Sequence, residues 1–126
     1  MYKMFLLFSH QITQAQKEDA KSSLNIEEFV ELPSNLQELW SSIPAELKTL
    51  DKYLIPLKKY LMSNASHNDI ILIQGDYGGT HTMVNFCKDN TFTAVHSTTK
   101  RESKEVFQEN KVLKTSMFEH VMFRKY

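Results

Sequence analysis

The chain has 126 residues, of which 41% are hydrophobic and 24% are charged, a composition that suits one globular domain over residues 1–126 and excludes a disordered tail. Its 15 basic residues are balanced by 15 acidic residues, which argues against a protein that coats long nucleic acid but not against a small charged ligand. No apolar run approaches the roughly 18 residues that span a membrane, and MYKMFLLF is too short for a signal-peptide core. We therefore expect a cytoplasmic protein with no membrane partner.

Charge and cysteine content narrow the kinds of site further. Residues 1–97 carry 8 basic and 11 acidic side chains, whereas residues 98–126 carry 7 and 4, so the C-terminal quarter is electropositive. That quarter is either a binding face or a solvated hairpin with scattered lysines. Cys87 is the single cysteine, which excludes an internal disulfide and a cysteine-rich zinc site.

The N-terminal half predicts a strand, a helix, a strand and two helices. A short apolar run indicates a buried strand over residues 3–8, and TQAQ at residues 13–16 resembles a capping box that opens a helix over residues 14–23. Residues 28–32 are β-prone and end at Pro33. The spacing of Leu36, Leu39, Trp40 and Ile43 is typical of one helix face. A second amphipathic helix, kinked near Pro56, is predicted by Leu47, Leu50, Leu54, Leu57 and Leu61.

The C-terminal half continues the alternation. DIILIQ at residues 69–74 is the clearest strand, and a helix over residues 80–88 follows, with Cys87 expected in the core rather than as a nucleophile. Residues 91–97 predict another strand, and residues 105–108 and 112–123 predict an antiparallel hairpin around Glu109 and Asn110. The whole order predicts a three-layer α/β fold with a mainly parallel central sheet and a C-terminal antiparallel β-hairpin.

Three polar stretches are expected at one edge of this sheet, because ligands of open α/β sheets bind outside the carboxyl ends of the strands. They are residues 9–11, residues 75–80 and residues 98–102. Their shared location is stronger evidence for a binding site than any one of the three stretches alone.

The glycine-rich stretch, GDYGGT, matches neither common phosphate loop. It lacks the lysine of GxxxxGK[ST] and the spacing of GxGxxG, so ATP hydrolysis and a dinucleotide fingerprint are disfavoured. Its glycines permit positive φ and close approach of a ligand, and Thr80 could cap the next helix, whose free N–H groups favour an anion. The alternative is a tight strand-to-helix turn without a ligand. Asp76 would repel a phosphate and suits holding the turn or accepting from a ribose hydroxyl.

Acid/base and cationic groups are found in the two other stretches. His10 could be a general acid or base, His81 is the second choice, and His96 is expected to be structural. No histidine pair has metal-ligand spacing, so no metal or cofactor is expected. Lys100 and Arg101 would make a phosphate clamp, unless they form an exposed basic turn.

LLFSH, LPSNLQELWSSIP, LIQGDYGGTHTMVNF, STTKRE and SMFEHVMFRKY together resemble the CRISPR-associated stand-alone ring nucleases of type III CRISPR loci, which are small CARF-like, Rossmann-type proteins. The likeness covers essentially the whole chain. It implies a homodimer that binds cyclic tetra-adenylate across its two-fold axis and cuts it, without metal, into linear di-adenylate, ending the antiviral signal. The candidate catalytic residues are His10, Lys100 and Arg101. The candidate ligand-binding residues are Ser9, Gln74, Gly75, Asp76, Tyr77, Gly78, Gly79, Thr80, His81, Thr98 and Thr99.

Three other functions compete with this one. A non-catalytic sponge or sensor of cyclic oligoadenylate would use the same pocket. A Rossmann-like enzyme for a mononucleotide or sugar phosphate would bind one ligand per monomer. A structural partner protein would bind neither cyclic oligoadenylate nor a mononucleotide or sugar phosphate.

Overall fold

The strands and helices alternate as the sequence predicts, with differences at three places. A computed structural model describes residues 2–126, apart from the side chains of residues 104, 106 and 113–116. The elements in chain order are β1 (Tyr2–Phe8), α1 (Gln14–Leu24), β2 (Ile26–Glu31), α2 (Ser34–Ser41), α3 (Ile55–Asn64), β3 (Ile70–Gln74), α4 (Tyr77–Asp89), β4 (Thr93–Gln108) and β5 (Lys111–Lys125).

One five-stranded sheet of order β2-β1-β3-β4-β5 forms the centre of the fold. The β1–β2, β1–β3 and β3–β4 pairs are parallel, and β5 pairs antiparallel with β4. The fold is therefore α/β with a mainly parallel central sheet and an antiparallel C-terminal hairpin. From β1 the chain first adds β2 on one side and later adds β3 and β4 on the other, so the strand order reverses between β1 and β3.

Helices cover both faces of the sheet, because β1 and β3 carry apolar side chains on both sides. Met4 and Leu6 pack with Ala20 of α1 on one face, which we call the α1 face. On the other, the α4 face, the core combines Phe5 and Leu7 with helical side chains: Leu36, Trp40, Leu57, Leu61, Met83 and Cys87. The three-layer prediction is thus confirmed, as is the prediction that Cys87 belongs to the core.

Local signals of the first half are borne out with one exception. Thr13 and Gln16 form the predicted capping box at the start of α1. The predicted helix through Leu47 and Leu61 is wrong in its first half: α3 begins at Ile55, and residues 45–54 contain no helix. Pro56 lies in the first turn of α3, where its missing N–H leaves no helical hydrogen bond unmade, so it starts the helix instead of kinking it.

The C-terminal hairpin is longer than predicted. Two strands, β4 and β5, replace the three predicted after residue 90, and they stay paired from Val95↔Lys125 to Gln108↔Lys111. Glu109 and Asn110 form the turn, with φ of 50° and 62°, the left-handed values that a two-residue hairpin turn requires. No helix within the described residues 2–126 is long and apolar enough to cross a membrane.

Candidate functional site

The loops after β1 and β3 meet at the carboxyl edge of the sheet. Phe8 and Gln74 are the last register pair of these parallel strands, so Ser9 and Gly75 leave the sheet side by side. This edge is the point where the strand order reverses, which is where open α/β sheets bind ligands. The predicted convergence of the first two polar stretches is confirmed.

Helix α4 begins immediately after this edge, at Tyr77 rather than at Thr80. Asp76 is its N-cap, and one carboxylate oxygen of Asp76 accepts from the Gly79 amide at 2.9 Å. Thr80 is therefore not the cap. Tyr77 and Gly78 lie in the first turn, so their amides have no carbonyl four residues earlier within the helix and point outward with the positive end of the helix dipole.

The glycines of this loop make room for a buried tryptophan. No glycine of the chain has a positive φ, so the expectation that they permit left-handed backbone is wrong. A Cβ at Gly75 would lie 3.0 Å from the Trp40 ring, and one at Gly79 would lie 2.6 Å from Cδ1 of Ile43. Trp40 also donates from Nε1 to the Gln74 carbonyl at 3.3 Å. The glycines thus let the edge of the sheet close over α2.

A cavity of about 490 Å³, which we call the α4 pocket, opens between α4 and the first residues of β4. Thr80 lines this pocket, and its hydroxyl oxygen is buried with no hydrogen-bond partner among the described residues. His81 also lines it, with Nε2 at 3.1 Å from the side-chain amide of Asn85. The lining residues are Gln74, Gly75, Tyr77, Thr80, His81, Val84, His96 and Tyr126.

His96 and Tyr126 are site residues that the sequence did not reveal. Their rings lie 4.7 Å apart, and the Tyr126 hydroxyl donates to the Ile73 carbonyl. Burial lowers the pKa of His96, and the charge of Arg124 lowers it further. The environment of His96 therefore favours its neutral imidazole form. The alternation of side chains along a strand could have identified His96, because it puts His96 on the same face of β4 as the core residue Ala94.

Ser9 and His10 line a different cavity, of about 520 Å³, which we call the β1 pocket. The His10 ring stands edge-on to Phe8 at 5.5 Å between centroids. Ser41 of α2 donates to the Ser9 hydroxyl at 3.3 Å. Glu31, Ser34 and Gln37 add polar groups to this cavity. His10 and the glycine loop thus share an edge of the sheet but not a cavity.

The third polar stretch, STTKRE, lies within β4 and not in a loop after it. Alternation puts Thr98 and Lys100 on the face of His96, and Thr99 and Arg101 on the opposite face. Lys100 pairs with Glu102 at 3.9 Å, while the Arg101 guanidinium stands 5.9 Å from the centre of the Phe118 ring. Strand geometry therefore disfavours a clamp of both cations on one phosphate from one protomer.

A row of buried, hydrogen-bonded polar side chains near the start of β4 was also not predicted from the sequence. Ser97 Oγ is 2.5 Å from Nδ1 of His120, whose Nε2 is 2.7 Å from the Asp19 carboxylate, and Gln16 donates to Ser97 at 3.3 Å. The order of groups matches a serine-hydrolase triad, but Ser97 is only 7% exposed and lines neither cavity. This row of hydrogen bonds links α1 to the hairpin, which is a structural role.

These features define an α/β protein with a mainly parallel sheet and two cavities of mixed polar and apolar lining at its carboxyl edge. The chain belongs to the uncharacterized protein MJ1673 family, whose model matches residues 2–124. It is similar to "Uncharacterized protein MJ1673" of Methanocaldococcus jannaschii, with 48% identity over 126 residues that cover 100% of this chain and 98% of that protein. No solved structure matches the chain.

Proposed function

We propose that the protein is a cytoplasmic ring nuclease with a CARF-like, Rossmann-type domain. It binds cyclic tetra-adenylate across a homodimer and cleaves it, without metal, to linear di-adenylate, which switches off type III CRISPR antiviral signalling. The main support is the meeting of the β1 and β3 loops where the strand order reverses, with a cavity of about 500 Å³ on each side. Two cavities of that size suit the two nucleotides that each protomer would hold.

The reaction needs an attacking oxygen, a base and an acid. A ribose 2′-oxygen attacks the adjacent phosphorus, the bond from phosphorus to the 5′-oxygen breaks, and the products carry a 2′,3′-cyclic phosphate and a 5′-hydroxyl. One group removes the 2′-hydroxyl proton and another protonates the leaving oxygen. His10 serves one of these roles from the β1 pocket. His96, whose neutral form is favoured by burial, and His81 offer a second imidazole from the α4 pocket.

Hydrogen-bond donors stabilise the charge that develops on the phosphoryl oxygens. Tyr77, in the first turn of α4 where the amides are free of helical partners, lines the α4 pocket together with Thr80. Lys100 lies on the same face of β4 as His96, and Arg101 reaches a ligand only from the other face. A two-fold ligand on a two-fold protein gives two equivalent sites for opposite linkages.

Cleavage of labelled cyclic tetra-adenylate in EDTA, with protein in excess, tests the proposal. We expect linear di-adenylate ending in a cyclic phosphate. His10→Ala should slow cleavage by about 10²–10⁴ while binding persists, as expected for loss of a general acid or base. His67→Ala is the matched control, because His67 lies in the turn before β3, at the opposite edge of the sheet. A His10→Ala protein that cleaves at the wild-type rate removes His10 from the mechanism.

Other outcomes separate the alternatives. Tight binding without cleavage over hours identifies a non-catalytic sponge or sensor. No binding rejects both the nuclease and the sponge. A stoichiometry of one small nucleotide per protomer, with no affinity for the cyclic ring, identifies a mononucleotide or sugar-phosphate enzyme.

A further inference from the structure

The outer part of the C-terminal hairpin leaves the sheet. β3 pairs with β4 only at residues 93–95, whereas β4 and β5 remain paired as far as their turn. Residues 98–122 therefore form a two-stranded ribbon, which we call the arm. Within the described residues no further strand pairs with either edge of the arm. A lone two-stranded ribbon is only marginally stable in water, so the arm needs a surface to pack on.

Large apolar side chains of the arm are exposed to solvent. Phe107 is 77% exposed and Phe118 is 68% exposed. Phe107 faces Val112 across the ladder, and strand parity puts Phe118 on the same face. Val121, Met117 and Met122 are each about half exposed as well. Apolar groups concentrated in this way mark an interaction surface, whereas single exposed apolar residues elsewhere on a protein do not.

We propose that the arm packs against the arm of a second copy of this chain. Its charges favour a like-with-like contact, because a two-fold axis sets the same surface against itself and a patch of one sign would repel its copy. The arm carries both signs in near balance. Its basic residues are Lys100, Arg101, Lys104, Lys111 and Lys114, and its acidic residues are Glu102, Glu105, Glu109 and Glu119. Nucleic acid or an acidic protein would require a clear excess of positive charge.

The size of the arm fits a weak, concentration-dependent dimer. Ten residues of strand extend about 33 Å, and a ribbon about 12 Å wide gives roughly 400 Å² per face. One face packed against one face therefore buries about half of the roughly 800 Å² per partner that stable interfaces bury, which is the size of a transient contact. The contact rests on the homodimer of the proposed function and names the surface that forms it. It requires no ligand, so a protein that dimerises through its arm without cleaving cyclic tetra-adenylate fails the nuclease proposal alone, and a protein that cleaves while both phenylalanine variants stay dimeric fails the arm proposal alone.

Sedimentation equilibrium of the full ligand-free chain tests the arm contact. We expect the wild type to be a dimer at roughly 10–100 μM, the range typical of moderate interfaces. Phe118→Glu and Phe107→Glu should each weaken the dimer at least about a hundredfold, because a two-fold interface suffers each change twice. Met62→Glu is the matched control, since Met62 is 54% exposed on α3, outside the arm. Unchanged circular dichroism and Tm establish that the variants fold.

Hydrogen exchange locates the contact independently. Amides of residues 98–122 should exchange more slowly at 100 μM than at 1 μM, by a factor that follows the dimer population, while the rest of the chain does not change. A monomeric wild type, a dimer that resists both phenylalanine substitutions, or concentration-dependent protection outside the arm overturns the proposal.

Discussion

Replacing Gly79 by alanine tests whether the glycines after β3 serve packing or ligand approach. The new Cβ would lie 2.6 Å from Cδ1 of Ile43 and 3.2 Å from Cζ3 of Trp40, closer than the 3.4 Å at which ordinary contacts begin. Overpacking of this kind costs about 1–3 kcal/mol. Alanine in a helix gains up to about 1 kcal/mol over glycine, and less in a first turn. The packing cost outweighs the gain in helix propensity, and we expect the free energy of unfolding to fall by about 1 kcal/mol. At about 2.1 cal/mol/K per residue, this lowers the Tm of a 126-residue domain by about 4 °C.

A second substitution isolates the clash. Ile43→Val removes Cδ1 and, because Ile43 is half-buried, costs only about 0.5 kcal/mol by itself. In that background Gly79→Ala should be neutral or slightly stabilising, which corresponds to a coupling of about 1 kcal/mol between the two positions. Urea unfolding of the four proteins, followed by circular dichroism, measures this coupling directly.

Gly78→Ala serves as the control for general effects of alanine in this loop. Its Cβ would come no closer than 3.3 Å to Cδ1 of Leu50 and would not approach the Trp40 ring, so the stability of this variant should change little. If Gly79→Ala stabilises the wild type, or acts equally with Ile43 and with Val at position 43, the packing explanation is wrong. Close approach of a ligand would then be the remaining reason for that glycine.

Three further predictions concern titratable groups. The hydrogen bond from Ser23, and then the bond and charge of His120, outweigh burial and lower the pKa of Asp19 below its usual 3.8. Its ionised form therefore stabilises the fold fully above pH 3.8, and this stability is lost as the pH falls through the lowered pKa, so Asp19→Asn should cost more in urea unfolding at pH 6 than at pH 3. Burial lowers the pKa of His96 below 6.5, so the unfolded chain binds more protons between the two values and stability rises with pH across that window; an NMR titration midpoint of His96 at or above 6.5 contradicts this. Burial raises the pKa of Cys87 to about 12, so iodoacetamide at pH 8 should leave the native thiol unmodified and alkylate it in denaturant, and rapid native alkylation counts against its burial.

The alternation of strands and helices was readable from the sequence because most elements have an apolar run and a local stop signal. DIILIQ and the capping box at Thr13 are examples, and both are present in the structure. The leucine spacing from Leu47 to Leu61 misled for a physical reason. The spacing of apolar residues indicates which side chains are expected to be buried, but it does not establish that the backbone between them is helical. Leu54, Leu57 and Leu61 are buried, whereas Leu47 is 43% exposed in a turn.

The location of the site was also predictable, because carboxyl ends of parallel strands share an edge. Its internal arrangement was not. STTKRE has the composition of a loop, and a ribbon exposed on both faces lacks the apolar alternation that identifies a strand. His96 and Tyr126 become site residues only through pairing of β3, β4 and β5, which brings together positions 30 residues apart. Such contacts leave no mark in the local sequence.

Helix α2 makes the two cavities mechanically dependent on each other. Gln37 donates to the Phe8 carbonyl at 3.0 Å and Ser41 donates to the Ser9 hydroxyl, both at the β1 loop. One turn away, Trp40 donates to the Gln74 carbonyl and fills the space beneath Gly75 and Gly79, at the β3 loop. A single helix therefore holds the rims of both cavities, although its own residues lie outside the α4 pocket. Because α2 is one continuous helix of 8 residues, a ligand that displaces one rim must move the other rim or break these bonds. We therefore expect binding in the β1 pocket to change the affinity of the α4 pocket. Such coupling suits one ligand that occupies both cavities, and it is not expected of two unrelated pockets.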